Sequence, residues 1–320
     1  MQLQPVLRSA LLLIATSLML LTQAQAAAPM VKTQAPGYYR MMLGDIEVTA
    51  LLDGTVALNP KQLFAHTPVE TIDTALAQAY DKAPVETSVN GFLINTGSKL
   101  VLIDTGAANL FGPTLGNLVS NLKAAGYKPD DIDEIYITHM HPDHVGGLMA
   151  GDKLAFPNAI VRADKQDADH WLDEANMAKA TKDTQRFFQG AMASLKPYVT
   201  AGKFQSFDGD TDLAPGIRAV ARHGHTPGHT AYMIESKGEK MLVWGDLVHV
   251  AALQFGDPAA VIGFDVDTKA GAAQRNASYT EAAKQSYWIA AAHTPFPGIG
   301  HVKVAKKGFV WVPASYRAMR

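Results

Sequence analysis

The sequence predicts a layered α/β (α+β) domain, and three observations carry that prediction. Short β-type runs recur along the chain, an amphipathic helical pattern lies among them, and turn dipeptides punctuate the intervals. The β-type runs are Ile46–Leu52, Gly91–Asn95, Leu100–Asp104, Glu134–Thr138, Ile217–Ala221, Ala231–Ile234, Met241–Trp244 and Trp288–Ala292. In Pro113–Ala125, Leu115, Leu118, Val119 and Leu122 fall at i, i+3, i+4 and i+7. That is one apolar stripe for packing on a sheet, and Gly126 is a good stop. Asn90-Gly91 and Thr96-Gly97 predict turns between strands. No internal repeat, low-complexity tract or clear boundary interrupts residues 27–320, so a single domain is expected there.

Composition narrows the function. The 320 residues hold 28 Lys+Arg against 30 Asp+Glu, with 48% hydrophobic and 18% charged residues, an ordinary globular mixture. A net charge of -2 argues against a nucleic-acid partner held by a basic surface. With no cysteine, disulfides, thiol nucleophiles and thiolate metal sites are excluded, and any metal must be held by histidine and carboxylate. Residues 1–26 read as a secretory signal peptide: Arg8 is the one charge, Ala10–Leu21 the apolar run, and Ala24-Gln25-Ala26 the small-residue cleavage site. The apolar run is shorter than the roughly 20 residues of a spanning helix. The mature chain, residues 27–320, is therefore expected in the periplasm or outside the cell, without a membrane association once the leader is removed.

The strongest chemical signal is Thr138-His139-Met140-His141-Pro142-Asp143-His144-Val145-Gly146-Gly147, directly after a strand-like run. At an extended strand end, His139 and His141 point to the same side, because the side-chain period is two. Asp143 and His144 can turn back as a helix begins, and the two glycines permit close backbone approach. Four donors within six residues supply ligands to two adjacent cations, imidazole and carboxylate being expected zinc ligands.

These residues resemble the His-x-His-x-Asp-His signature of the metallo-β-lactamase superfamily. His225-Thr226-Pro227-Gly228-His229, Gly245-Asp246 and Ala292-His293 extend the likeness. Ala35-Pro36-Gly37-Tyr38-Tyr39-Arg40, Leu102-Ile103-Asp104-Thr105-Gly106 and Phe296-Pro297-Gly298-Ile299-Gly300-His301 resemble its methyl parathion hydrolase and lactonase branch. The resemblance implies an αββα sandwich with a dinuclear centre at one edge of two facing sheets. It implies that His139, His141 and His225 bind one metal, that Asp143, His144 and His293 bind the other, and that Asp246 bridges them. It also implies a homodimer. Zinc suits these ligands best, although iron, manganese or cobalt can occupy the same set.

A shared hydroxide between two such cations makes hydrolysis the natural use. The absence of cysteine departs from many β-lactamases of the superfamily, and the acidic balance does not suit a ribonuclease. Lactones, aryl esters and organophosphate triesters remain as small-molecule substrates, with lactone or aryl ester opening preferred; the non-enzyme alternative is a metal-free binding protein on the same fold. Asp143, Asp246 and His249 are the expected catalytic residues. His249 stands three residues after Asp246, where lactonases of this superfamily often carry a tyrosine that contacts the substrate carbonyl; relatives of methyl parathion hydrolase tend to carry an aliphatic residue. Phe111, Trp171 and Phe187 match aromatic pocket positions of that branch, with ordinary core as the alternative. Leu63, Phe64, Ile262 and Phe264 are expected to narrow the same pocket. Asp104 is expected to orient a histidine or pin a loop, and His229 to hydrogen-bond within its own loop.

Overall fold

The computed structural model describes residues 28–319, so the leader expected at residues 1–26 lies outside the described residues. The chain divides into the units Met1–Ala35 and Pro36–Arg320. In the first, residues 28–35 carry no regular secondary structure. All that follows concerns the second.

In chain order the strands are β1 (Tyr38–Leu43), β2 (Ile46–Leu58), β3 (Val85–Asn95), β4 (Leu100–Ile103), β5 (Glu134–Tyr136), β6 (Met149–Ala150), β7 (Lys153–Leu154), β8 (Ile160–Asp164) and β9 (Phe204–Phe207). They continue as β10 (Thr211–Ala214), β11 (Ile217–Ala221), β12 (Thr230–Ser236), β13 (Glu239–Val243), β14 (Trp288–Ala290), β15 (Ile299–Val304) and β16 (Phe309–Pro313). One sheet has the order β1-β2-β3-β4-β5-β8-β9, and the second runs β10 to β16 in sequence. The first is antiparallel from β1 to β4 and parallel from β4 to β9. In the second, the β13–β14 pair is parallel and its neighbours are antiparallel.

The two sheets face each other across an apolar layer. Val48, Ala50, Phe92, Ile94, Val101 and Ile103 from the first meet Ala219, Tyr232, Ile234, Met241, Val243 and Ala290 from the second. Alternation along each strand turns the other face outward to a second layer of apolar residues, and helices cover both. Helix Lys182–Thr200 is capped by Thr181 and lays Phe188, Ala191, Met192 and Leu195 on the first sheet. On the second sheet, helix Thr268–Gln285 packs Tyr279 and Ala282 against Leu242, Trp244 and Ile289. The result is the expected αββα sandwich.

Every β-type run of the sequence lies in or overlaps a strand, but two local expectations need correction. Helix formation begins at Leu118, five residues later than predicted. Gly116 sits at φ +94, and the Asp53 carboxylate captures the backbone N–H groups of Gly116 and Leu118, so the preceding turn is spent on that side chain. Asn90-Gly91 is not a turn either. Both residues pair with β2 inside β3, while the Asn90 amide donates to the carbonyls of Ala291 and Thr294 across the sheets. The turn at Thr96-Gly97 is present between β3 and β4.

Candidate metal centre

Each functional side chain stands just beyond the end of a strand, where a rigid sheet hands over to a loop. After β4 the chain leaves the sheet at Asp104, which sits at φ +59. Its carboxylate accepts the Thr138 N–H at 2.8 Å, the Thr138 hydroxyl at 2.8 Å and the His144 Nδ1–H at 2.8 Å. Asp104 thus both orients a histidine and pins the loop, and β5 ends at Tyr136 rather than Thr138 because Thr138 is spent on this carboxylate. Pro142 opens the short helix Pro142–Val145, which turns Asp143 and His144 back toward His139 and His141. The close approach expected at the glycines is present: a Cβ on Gly147 would run into the Thr105 carbonyl oxygen.

The other histidines are held in the same manner. His225 Nδ1–H donates to Asp265 Oδ1 at 2.8 Å, and His293 Nδ1–H donates to the Ser88 carbonyl at 2.9 Å. These bonds place the free lone pair on Nε2 in His144, His225 and His293. His229 is not among the inward donors. Its Nε2 accepts the Asp246 N–H at 3.0 Å and its Nδ1–H donates to the Arg222 carbonyl, so it fixes the backbone of Asp246, as a loop hydrogen bond. Asp167, buried at the start of helix Lys165–Trp171, accepts from Met140 N–H at 2.8 Å and Gly228 N–H at 2.7 Å. One carboxylate therefore staples the two histidine loops together.

Seven residues converge: His139, His141, Asp143, His144, His225, Asp246 and His293, all buried. Asp246 Oδ2 lies 3.5 Å from His139 Nε2 and 3.3 Å from His225 Nε2, and His225 Nε2 lies 3.2 Å from His141 Nδ1. Asp246 Oδ1 lies 3.1 Å from both His144 Nε2 and His293 Nε2. Asp143 Oδ2 joins this second set, 3.6 Å from His144 and 3.4 Å from His293. Donors around a tetrahedral ion with bonds of about 2.0–2.1 Å stand roughly 3.3–3.5 Å apart, so these separations fit a cation. Chemistry agrees: His139 Nε2, His144 Nε2 and Asp246 Oδ1 are buried without a hydrogen-bond partner, which is costly unless a cation takes their lone pairs.

Electrostatics follow from that crowding. Burial, then the neighbouring His144, keeps His139 well below the ordinary histidine range, and burial with His225 does the same for His141. For His225, burial pulls down, but the hydrogen bonds to Asp246 and Asp265 prevail and push it up to about 9. In His144, the pull of burial is overcome by Asp246, Asp143 and Asp104, and it lies well above the usual range. Burial brings His249 down to about 4 and His229 to about 3. Asp246 is held well below the carboxylate range: burial opposes this, but His144, His293, His139 and His249 outweigh it.

A small cleft opens on the centre, lined by Val56, Leu58, Phe111, Phe187, His249 and Phe264 beside His141, Asp143, Asp246 and His293. His249 Nε2 lies 3.0 Å from Asp246 Oδ2, and the ring stacks on His293. Trp171 is buried under His141, edge to face at 5.1 Å, and forms the wall of an outer groove shared with Phe187 and Phe264. The expectation fails for Leu63, Phe64 and Ile262. Phe64 and Ile262 are core, packed with Ile72, Leu76, Val250 and Leu253, and Leu63 is packed against them. They support the cleft segment from behind because helices Pro60–Leu63 and Val69–Gln78 bury their apolar faces there. Sequence reasoning missed Val56 and Leu58, which continue β2 past its expected end, and also Asp53, Asp167 and Asp265. The carboxylates carry no motif of their own, since each acts on partners dozens of residues away.

Residues 84–299 match the family described as the metallo-beta-lactamase superfamily. The chain belongs to that superfamily. It is 38% identical to the crystal structure of hydrolase AbOPH, described as in the beta lactamase superfamily, with a TM-score of 0.85 over 89% of this chain and 100% of that one. A second similar structure is AidC, a dizinc quorum-quenching lactonase in complex with a product, 28% identical with a TM-score of 0.82, over 88% of this chain and 99% of that one. Among curated relatives, the N-acyl homoserine lactonase of Bacillus cereus is 25% identical over 196 residues, 54% of this chain and 69% of its own length. The protein is thus a metal-dependent hydrolase of this superfamily, built on the fold and donor set described above.

Proposed function

We propose that the mature chain, residues 27–320, is an exported dinuclear zinc hydrolase that opens lactones or aryl esters. The observation that carries the dinuclear reading is the place of Asp246 between two donor sets: Oδ2 lies within 3.5 Å of His139 and His225, Oδ1 lies 3.1 Å from His144, and His293 Nε2 stands by both oxygens at 3.1 and 3.2 Å. Zinc is favoured because the donors are imidazole and carboxylate, and because AidC is described as a dizinc lactonase. Bound there, two cations supply Lewis acidity and make water nucleophilic near neutral pH.

The chain's own residues do the rest. Asp104, Asp265 and the Ser88 carbonyl each accept a hydrogen bond from an Nδ1–H, so His144, His225 and His293 present lone pairs inward without rotating. Phe111, Phe187 and Phe264, with Val56 and Leu58, exclude water and bracket a flat ring. His249 is neutral at pH 7 and carries one ring N–H, which can stand beside the substrate carbonyl where negative charge gathers. The cleft is small, and a planar ester needs less room in it than a tetrahedral phosphotriester. A second reading, organophosphate triester hydrolysis, draws support from the same aromatic walls, which suit an aryl leaving group.

Comparison of kcat/KM on dihydrocoumarin, an acyl-homoserine lactone and methyl parathion, with metal content measured on the same preparation, tests the proposal. Preference for a lactone with two metals per chain supports it. Preference for methyl parathion establishes the second reading, and full activity of metal-free protein overturns both. Export rests on the leader pattern of residues 1–26, and its check is the N-terminus of the protein recovered outside the cytoplasm.

A further inference from the structure

Beside the site lies a buried arginine that no metal ligand contacts. Arg275, on helix Thr268–Gln285, is 1% exposed. Its Nε donates to the Leu247 carbonyl at 2.8 Å, Nη1 to the carbonyls of Pro258 at 3.1 Å and Ala260 at 2.9 Å, and Nη2 to Asp265 Oδ2 at 3.3 Å. All four acceptors belong to the single segment 247–265. A guanidinium is expensive to bury, and an apolar side chain of similar volume would fill the same space at less cost. What an apolar side chain cannot do is bind four separated oxygens in one plane.

That segment serves both halves of the site. Its last residue, Asp265, holds the Nδ1–H of His225 through its other oxygen, Oδ1. Its earlier part presents His249 and Phe264 to the cleft. The link to His249 is traceable: the Ala260 carbonyl that accepts from Arg275 also faces Gln254 Nε2 at 3.4 Å, and Gln254 Oε1 accepts the His249 N–H at 2.7 Å.

We propose that Arg275 is a positioning residue for the whole centre, its one guanidinium setting Asp265 against His225 and setting the backbone that carries His249 and Phe264 toward substrate. The metal half stands on geometry alone; the substrate half rests on the hydrolase reading above.

A double-mutant cycle on the full, metal-loaded chain tests this, using Arg275→Lys, Asp265→Asn and the double variant. Metal retention against a chelator, KM and kcat on the best ester substrate, and melting temperature are read for each. A lysine reaches one or two of the four acceptors, so both functions weaken. Asp265→Asn loses metal affinity by about 10–100-fold, and Arg275→Lys by about tenfold, as is usual for groups that support a metal ligand. Because Arg275 acts on the metal through Asp265, the double variant holds metal no worse than Asp265→Asn alone. KM rises in Arg275→Lys and in the double variant but stays near wild type in Asp265→Asn. Additive metal losses, or an Arg275→Lys protein with lowered melting temperature yet wild-type metal retention and KM, overturn the proposal. If the lysine variant does not fold, Arg275→Gln, which buries no charge, carries the same cycle. Should no lactone or aryl ester be hydrolysed, the lactonase reading fails while the metal arm still decides the Asp265 half.

Discussion

The two walls of the site are held by different physics. On the donor wall, a carboxylate or carbonyl fixes each key ring: Asp104 for His144, Asp265 for His225, Ser88 for His293, with Asp167 bonding the backbone of both histidine loops. On the cleft wall, Phe111, Phe187 and Phe264 are partly buried and positioned by packing, as in the 6.4 Å contact between the rings of Phe187 and Phe264. Hydrogen bonds are directional and costly to break when buried, whereas aromatic contacts tolerate repacking. The difference teaches that the chemistry of this centre is rigidly set, and that its choice of substrate is open to adjustment by few substitutions.

The most severe test of the donor wall is Asp246→Ala. With the carboxylate that faces both donor sets removed, metal content and turnover should fall to background, which metal analysis and kcat measure together. Near-normal turnover with two metals retained would refute the assignment. Next in size, Asp104→Asn should lower metal affinity by about 10–100-fold, because the amide cannot serve both the Thr138 donors and His144 Nδ1–H as a carboxylate does. Competition with a chelator reads the loss.

The pH dependence sharpens the same wall. In metal-free protein His225 sits at about 9, above its unfolded value, so it is protonated at pH 7. Its contribution to the stability of that form is fully present below the unfolded value near 6.5 and is lost as pH rises through 9. Metal must displace this proton and that of His144, which also lies well above the usual range, so affinity should climb at least tenfold per pH unit up to about 9, and binding at pH 7 should release protons. Calorimetry in two buffers of different ionisation enthalpy measures the release. No release at pH 7 would show that His225 is already neutral.

On the cleft wall, His249→Leu should lower lactone kcat/KM while sparing or improving a phosphotriester, which depends less on a donor and gains room. A well-aligned oxyanion donor is worth on the order of 2.7–4 kcal/mol, but His249 Nε2 is already turned to Asp246, so a loss of about tenfold is expected. Parallel loss on both substrates, with metal retained, would sink that role. The smallest effect belongs to Phe187→Ala. Its aromatic contact with Phe264 is worth about 0.5–1.5 kcal/mol beyond area, so KM should rise a few-fold at unchanged metal content.

Much of the donor wall was legible in the sequence for a physical reason. Ligands at strand ends come in tight local patterns, and the alternation of an extended chain dictates which of His139 and His141 share a side. The eight β-type runs were legible likewise, since burial between two layers demands β-branched and aromatic residues. What only the tertiary structure decided is whatever depends on distant partners. Asp53, Asp167, Asp265 and Arg275 are ordinary charged residues until folding brings them to loops tens of residues away. Phe64 and Ile262 read as pocket because a hydrophobic residue beside a site looks the same whether it faces substrate or core. Which way it faces is set by how helices Pro60–Leu63 and Val69–Gln78 pack, and that packing is a property of the assembled layers rather than of any local pattern.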